Sequence, residues 1–309
     1  MTTKTKQKIN EIAGKIKTME IRGALDIAIA AASAMKEVAL ESPDSELISN
    51  LNSAGDKLKS ARPTAVSLPN AVNYIIHLAK INKNNKIKLS SEIEKFIKNQ
   101  ENSLKKIAEF GSSMIENNDT ILTHCNSDTV VEILKKAHDC GKKINVVCTE
   151  TRPRKQGYIT ANALSKHGIP TTLIIDSAVH LIMKKLKVDK VIVGADTVCS
   201  DGDVINKIGT SQIALCAKEM NIQFIVATQS IKFSTESVSG TIVKIEERDT
   251  SEIAGADELP GVKIMNPAFD ITDSGYVDVI VTEFGVIPPQ AAYGLLKEKF
   301  GWKLNRDES

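Results

Sequence analysis

Residues 120–148 read TILTHCNSDTVVEILKKAHDCGKKINVVC. The stretch opens on a short apolar run (TILTHC, 120–125), passes through an amphipathic segment (SDTVVEILKKAHDCG) and closes on a second apolar run (INVVC, 144–148). Short apolar runs suit buried strands, and the segment between them has the three-to-four-residue apolar spacing of a helix. The alternation then repeats. TTLIID (171–176), KVIVGAD (190–196) and QFIVAT (223–228) are separated by QGYITANALSKHG, SAVHLIMKKLK and TSQIALCAKEMN. Strands alternating with helices of this length predict a mostly parallel, Rossmann-like sheet with helices on both faces. TIVKIE (241–246) and VDVIVTE (277–283) are expected to extend the sheet, and PPQAAYGLLKEKFGW (288–302) to close the chain as a helix with proline near its start.

Working back toward the N-terminus, the texture changes near residue 118. ALDIAIAAASAMKEVAL (24–40), LPNAVNYIIHLAKI (68–81) and SSEIEKFIKNQENSLKKIAEFG (90–111) all carry helical periodicity. The last is expected to start at a capping box, Ser91 to Glu94, and to stop at Gly111. INKNNKIKLS (81–90) reads as a solvated basic loop without aromatic interleaving. The fold class is therefore α/β, with a helical N-terminal domain at 1–115 and a Rossmann-like domain at 116–309.

Composition narrows the function. The 309 residues are 42% hydrophobic and 25% charged with a net charge of +2, ordinary for a globular protein and unlike a dedicated nucleic-acid binder. The five cysteines form no C-x-x-C pair and no zinc spacing. Their odd number and the lack of a signal-peptide pattern lead us to expect a reducing, cytoplasmic setting. No uninterrupted apolar run approaches the roughly 18 residues of a membrane span.

In a doubly wound sheet, ligands bind beyond the carboxyl ends of the strands. The unusual polar residues fall there: His124-Cys125, Arg152 to Gln156, Asp176, Asp196 and Thr228 to Lys232. Cys125 is either a small buried residue or, just before a helix, a thiolate with a lowered pKa. The other four cysteines are expected to be small buried residues. Asp196 either caps a turn or faces a desolvated cleft as a general acid. Asp201-Gly202-Asp203 lacks the carboxylate series and terminal glutamate of a calcium loop and reads as turn chemistry, so no metal is expected. Asn206 and Lys207 are placed at the start of the following helix, where an anion would be favoured. With Arg152, Arg154, Lys155 and Lys232, and with Arg22 and Arg62 in the helical domain, they suggest a ligand carrying more than one phosphate.

These residues lie in motifs that resemble a known family. EIRGALDIA, ARPTAVSLPNAV, ILTHCNSDTVVEIL, ETRPRKQG, VGADTVCSDGDVINKIGTSQIALCAKE, IKF, MNPAFDIT and EFGVIPP are similar to the superfamily of sugar-1-phosphate aldose–ketose isomerases. That superfamily joins ribose-1,5-bisphosphate isomerases, methylthioribose-1-phosphate isomerases and the regulatory alpha, beta and delta subunits of initiation factor 2B. RPTAVSLPNA, NPAFDIT and FGW resemble the archaeal ribose-1,5-bisphosphate isomerases in particular. The resemblance implies a helical domain on a Rossmann-like domain. It implies conversion of α-D-ribose 1,5-bisphosphate to D-ribulose 1,5-bisphosphate, in a route from nucleotide (AMP) ribose to rubisco, without a cofactor. It makes Cys125 and Asp196 the catalytic pair, with Arg22, Gly23, Ala24, Arg62, Ser127, Asp128, Thr129, Gln156, Asn206, Lys207 and Lys232 binding substrate. A homodimer, or a hexamer built as a trimer of dimers, is also implied. Methylthioribose-1-phosphate isomerisation and a non-catalytic regulatory or sensor subunit are the alternatives. The loop after Cys125 departs from the family, reading NSDTV where HSKAV is expected, so the Asp128 carboxylate must point away from a bound phosphate.

Overall fold

Apolar residues recurring every three to four positions make the first third of the chain helical. In the computed structural model, which describes residues 1–21, 23–62, 66–82, 85–234, 245–255 and 258–300, this part forms α1 (Thr3–Lys17), α2 (Ala24–Glu41), α3 (Leu47–Lys59), α4 (Ser67–Ile81), α5 (Lys86–Glu101) and α6 (Ser103–Ser113). The alanine-rich face of α2 lets neighbours approach closely, and α2 packs on α3, α4 and α5. Helix α5 begins earlier than the capping box suggests. Asn85 is its N-cap and accepts from the Lys88 amide at 2.9 Å, while Leu89, Ile93, Phe96 and Gln100 form its buried face. The second half of INKNNKIKLS is thus helix rather than loop, and Gly111 lies within α6 rather than ending a helix.

Beyond α6 the order is β1 (Thr120–Thr123), α7 (Asp128–Asp139), β2 (Asn145–Thr149), α8 (Gly157–Lys166), β3 (Thr171–Ile174), α9 (Val179–Leu186) and β4 (Lys190–Val193). There follow β5 (Thr197–Val198), β6 (Val204–Lys207), α10 (Thr210–Glu219), β7 (Gln223–Ala227), β8 (Phe269–Thr272), β9 (Val279–Thr282), β10 (Gly285–Ile287) and α11 (Ala292–Phe300). Seven strands form one sheet in the order β10-β9-β7-β4-β1-β2-β3, parallel throughout except for the β9–β10 hairpin. Residues of α7 and α8 pack on one face of this sheet with Ile107 of α6 and Ile115. Right-handed crossovers on the other side of the reversal carry α9 and α10, which contact each other, to the opposite face.

Four of the described strands were not expected: β10, which pairs with β9 at the edge of the large sheet, and three others. β5, β6 and β8 form a small antiparallel sheet, with Thr197 opposite Ile205 and Lys207 opposite Phe269. Lys207 is therefore the last residue of a strand. Helix α10 starts only at Thr210, after Gly209, which caps it with φ of 104°. Of the TIVKIE run, 241–244 lie outside the described residues. Ile245 and Glu246 join no strand, and Glu247 bridges Pro267. Among the described residues, no helix is long and apolar enough to cross a membrane.

The chain divides into two compact units, Met1–Ser103 with Ile231–Ser234, and Leu104–Ser230 with the residues from Thr235 onward. Within the first, the buried Asn70 side chain donates to the carbonyls of Ile231 and Phe233, both at 2.8 Å. Removing it strands two carbonyls beside fully buried side chains. Asn70→Ala should therefore cost roughly 2–4 kcal/mol in a urea unfolding titration, whereas a loss below about 0.5 kcal/mol would mean that water replaces the amide.

Candidate active site

Strand order reverses between β1 and β4. From β1 the chain winds outward through β2 and β3, and from β4 outward through β7. The loops leaving β1 and β4 consequently part in opposite directions and leave a crevice at their carboxyl ends. Cys125 follows β1 and Asp196 follows β4, so the topology brings the two candidate catalytic residues to the same crevice.

The backbone of Cys125 is held from two sides. Its N–H donates to the Thr151 hydroxyl at 2.9 Å, and its carbonyl accepts from the Thr160 hydroxyl at 2.9 Å. Thr160 also donates to Asn126 Oδ1 at 3.1 Å. This clamp supports a left-handed conformation at Cys125, with φ of 67°. Thr151 has φ of 63°, a costly value for a β-branched residue. The Asp176 carboxylate secures it by accepting from the Thr151 and Arg152 amides, each at 2.7 Å. Two adjoining loops thus share backbone strain at one point.

The thiol departs from expectation. Cys125 is 9% exposed, and burial pushes its thiol up to about 11, against the opposing pull of the Asn126 amide and the Lys207 ammonium. Ser127 is the N-cap of α7, so Cys125 sits two residues outside the helix and gains little from its dipole. The expected lowering is reversed. Asp196 is also placed differently, being exposed while the residues on either side are buried. Its amide donates to the Ile205 carbonyl at 3.0 Å, and its carboxylate acts on the charges of both Cys125 and Lys207.

Neighbouring His124 is 2% exposed. Its Nε2 lies 2.9 Å from the Ile208 carbonyl, which only accepts, so Nε2 carries the proton. Nδ1 then accepts from the Thr149 hydroxyl at 2.6 Å. Burial lowers the pKa, and the ring is a neutral strut between β1, β2 and the β6–α10 turn. Ser127 packs against the backbone of β4's end, where a Cβ on Gly194 would stand 2.6 Å from its hydroxyl oxygen. Ser127 Oγ is 2.7 Å from the Thr129 hydroxyl, which donates to the Ala227 carbonyl. Asp128 is exposed in the first turn of α7.

A shallow cleft opens beside the Lys207–Ile208 turn, lined by Arg152, Arg154, Gln156, Lys207, Arg248 and Asn266 among others. Lys207 is 8% exposed and donates to the Ala268 carbonyl at 2.9 Å, with its ammonium 4.7 Å from the Phe269 ring centre. Burial lowers its pKa, and nearby Arg248 adds to the effect while Cys125 and Asp196 oppose it. Arg154 is paired with Glu252 across the rim. Arg248 Nε lies 3.5 Å from a Glu246 carboxylate oxygen, so two carboxylates offset the four cations and the remaining positive charge favours an anion. Asn206 is turned to the turn itself, donating to the Thr210 hydroxyl at 3.0 Å. Asp201 and Asp203 accept from the Asp203 and Ser274 amides at 3.1 and 2.8 Å, which is turn chemistry.

The remaining candidates belong to the first compact unit. Gly23 caps α2, Ala24 begins it, and Arg62 follows α3 within the helical unit, while Arg22 lies outside the described residues. Lys232 ends a short 3-10 helix, Ser230–Lys232, that is anchored where the Ser230 amide and hydroxyl donate to buried Glu283. Of the other cysteines, Cys148 and Cys199 are buried as expected, but Cys140 is exposed and Cys216 partly so. Arg248 and Asn266 escaped the sequence reading because they meet in a pairing outside the strands, where the Arg248 amide donates to the Asn266 carbonyl at 2.9 Å and Glu247 bridges Pro267. Thr151 and Thr160 gave no signal beyond their closeness to charged motifs.

Fold and site together define a doubly wound α/β protein with a cationic cleft beside the β6–α10 turn. The model of the Initiation factor 2 subunit family matches residues 20–289, and the chain belongs to that family. It is 47% identical to the ribose 1,5-bisphosphate isomerase of Methanocaldococcus jannaschii, covering 95% of this chain and 96% of that protein. It is 41% identical to the methylthioribose-1-phosphate isomerase of Acetivibrio thermocellus, covering 90% and 88%. The crystal structure of Pyrococcus horikoshii translation initiation factor eIF-2B superposes with a TM-score of 0.75 at 31% identity, covering 94% of this chain and 98% of that one.

The lowered His124 pKa makes a signed prediction. The neutral ring stabilises the fold fully above the ordinary value of 6.5, and this is lost as pH falls through the depressed folded value. The stability difference between wild type and His124→Gln should shrink below pH 6.5, with a slope approaching about 1.4 kcal/mol per pH unit. Denaturant melts between pH 7.5 and 4.5 measure it (about two units on the acid side of an ordinary histidine), and parallel curves would show that His124 titrates normally.

Proposed function

We propose that the chain isomerises α-D-ribose 1,5-bisphosphate to D-ribulose 1,5-bisphosphate. The observation that carries this reading is the cationic cleft beside the β6–α10 turn, in a chain that is 40–47% identical over nearly its whole length to archaeal proteins bearing that name. A methylthio sugar monophosphate offers one phosphate. The relative named for the bisphosphate reaches 47% identity over 95% of this chain, against 41% over 90% for the methylthioribose-1-phosphate isomerase, which favours the bisphosphate.

A sugar phosphorylated at carbon 1 cannot open its ring unaided, because the anomeric oxygen is blocked. In the proposed reaction the Asp196 carboxyl gives a proton to the ring oxygen. Hydrogen then moves with its electron pair from carbon 2 to carbon 1. The proton of the carbon-2 hydroxyl returns to Asp196, leaving a ketone and restoring the acid. No external oxidant or reductant is consumed. The raised Cys125 thiol favours this hydride route over abstraction by a resting thiolate, and gives Cys125 the role of a neutral, water-excluding wall.

Lys207, Gln156 and the arginines of the cleft would hold one phosphate, and Ser127 and Thr129 at the start of α7 the other, with Asp128 turned outward and Asn206 keeping the Lys207 turn in shape. Arg22, Gly23, Ala24, Arg62 and Lys232 enter the proposal through the family resemblance alone. A homodimer or a hexamer in the cytoplasm completes it, and sedimentation velocity would report the mass.

The purified chain should convert ribose 1,5-bisphosphate and leave methylthioribose 1-phosphate nearly untouched. Asp196→Asn should lower kcat by about 1000-fold or more, and Cys125→Ser by about 10- to 100-fold, both with unchanged circular dichroism. Faster turnover of the methylthio substrate, or binding of either sugar without turnover, would replace the proposal by one of its alternatives.

A further inference from the structure

The position of Lys207 depends on a turn that its own strand cannot fix. The β6–β8 ladder ends at the Lys207–Phe269 pair, and the chain must then reverse through Gly209 to enter α10. A left-handed residue at a helix N-cap leaves the first amides of the helix without partners unless a side chain reaches them. Asp270 does so from the neighbouring strand. Its Oδ2 accepts from the Gly209 amide at 2.7 Å, the Ser211 amide at 3.2 Å and the Ser211 hydroxyl at 2.9 Å. Its other oxygen, Oδ1, is buried without a hydrogen-bond partner among the described residues. All the hydrogen bonds that this carboxylate makes among the described residues go to the turn.

Two further contacts tie that turn to the cleft. The Ile208 carbonyl accepts from His124, and the Ile208 amide donates to the Ala268 carbonyl at 3.1 Å, the same oxygen that takes the Lys207 ammonium. Lys207 therefore spends one of its three N–H groups on the protein and keeps two for a ligand. Where those two point is set by residues 207–211, and those residues are pinned by Asp270.

We infer that Asp270 is a positioning residue, which fixes the β6–α10 turn so that the Lys207 ammonium faces a substrate phosphate. The inference rests on the reading that Lys207 binds substrate. A helix-cap role alone would make Asp270 matter for stability and not for substrate affinity. A positioning role makes its loss felt through Lys207.

The test is steady-state kinetics on ribose 1,5-bisphosphate with Lys207→Ala, Asp270→Ala, Asp270→Asn, Ser211→Ala and the doubles Lys207→Ala/Asp270→Ala and Lys207→Ala/Ser211→Ala. Asp270→Ala should raise KM by about 10-fold or more with a smaller change in kcat, and Asp270→Asn, which keeps an oxygen acceptor, should stay within about threefold of wild type. Ser211→Ala removes one donor and should raise KM about two- to threefold. It carries the test should Asp270→Ala fail to fold. Neither change should raise KM further once Lys207 is alanine, because the path through Lys207 is already lost. Losses that multiply in the doubles, an unchanged KM in Ser211→Ala, or an Asp270→Asn variant as poor as Asp270→Ala would overturn the positioning role. An unchanged KM in Lys207→Ala would instead show that the reading of the cleft is wrong, and the inference would fall with it.

Discussion

Everything at the site depends on the reversal of strand order between β1 and β4. Parallel strands joined by right-handed crossovers must leave a gap where winding changes direction, because the two departing loops diverge. The chain fills its edges with a cysteine, an aspartate and a row of cations. A backbone this exposed to ligand cannot rest on ladder hydrogen bonds, so side chains brace it. Thr151 and Thr160 grip Cys125, Asp176 grips Thr151, His124 spans to Ile208, and Asp270 closes the next turn. Each brace is short and buried or half-buried, where a hydrogen bond is costly to lose.

This bracing explains the electrostatics. The same burial acts in opposite directions on acids and bases, raising Cys125 and Asp270 and lowering His124 and Lys207. Burial therefore works against the charged form of each of these four groups.

Much of the arrangement was legible in the chain. Strand and helix periods differ enough that TILTHC, INVVC, KVIVGAD and QFIVAT announced the parallel sheet, and Cys125 and Asp196 fell at strand ends by position alone. What could not be read depends on partners far away in sequence. β5 has only two residues and owes its existence to β6, which in turn needs β8. Lys207 therefore looked like the start of a helix, although the glycine two residues later marks the true cap. The two readings of Cys125 could not be separated for a related reason. Helix proximity is visible locally, but the burial that outweighs it comes from packing. Arg248 sits in a charged run with no apolar pattern, and its place at the cleft comes with the pairing to Asn266 and the Glu247–Pro267 bridge.

The central claim is that the site moves hydrogen within the sugar rather than through a thiolate in exchange with water. Ribose 1,5-bisphosphate carrying deuterium at carbon 2, turned over in ordinary water, tests it directly by NMR of the product. The account predicts that the deuterium is found at carbon 1 of the ribulose 1,5-bisphosphate without loss. Washout of the label to solvent would contradict it and return Cys125 to the role of base.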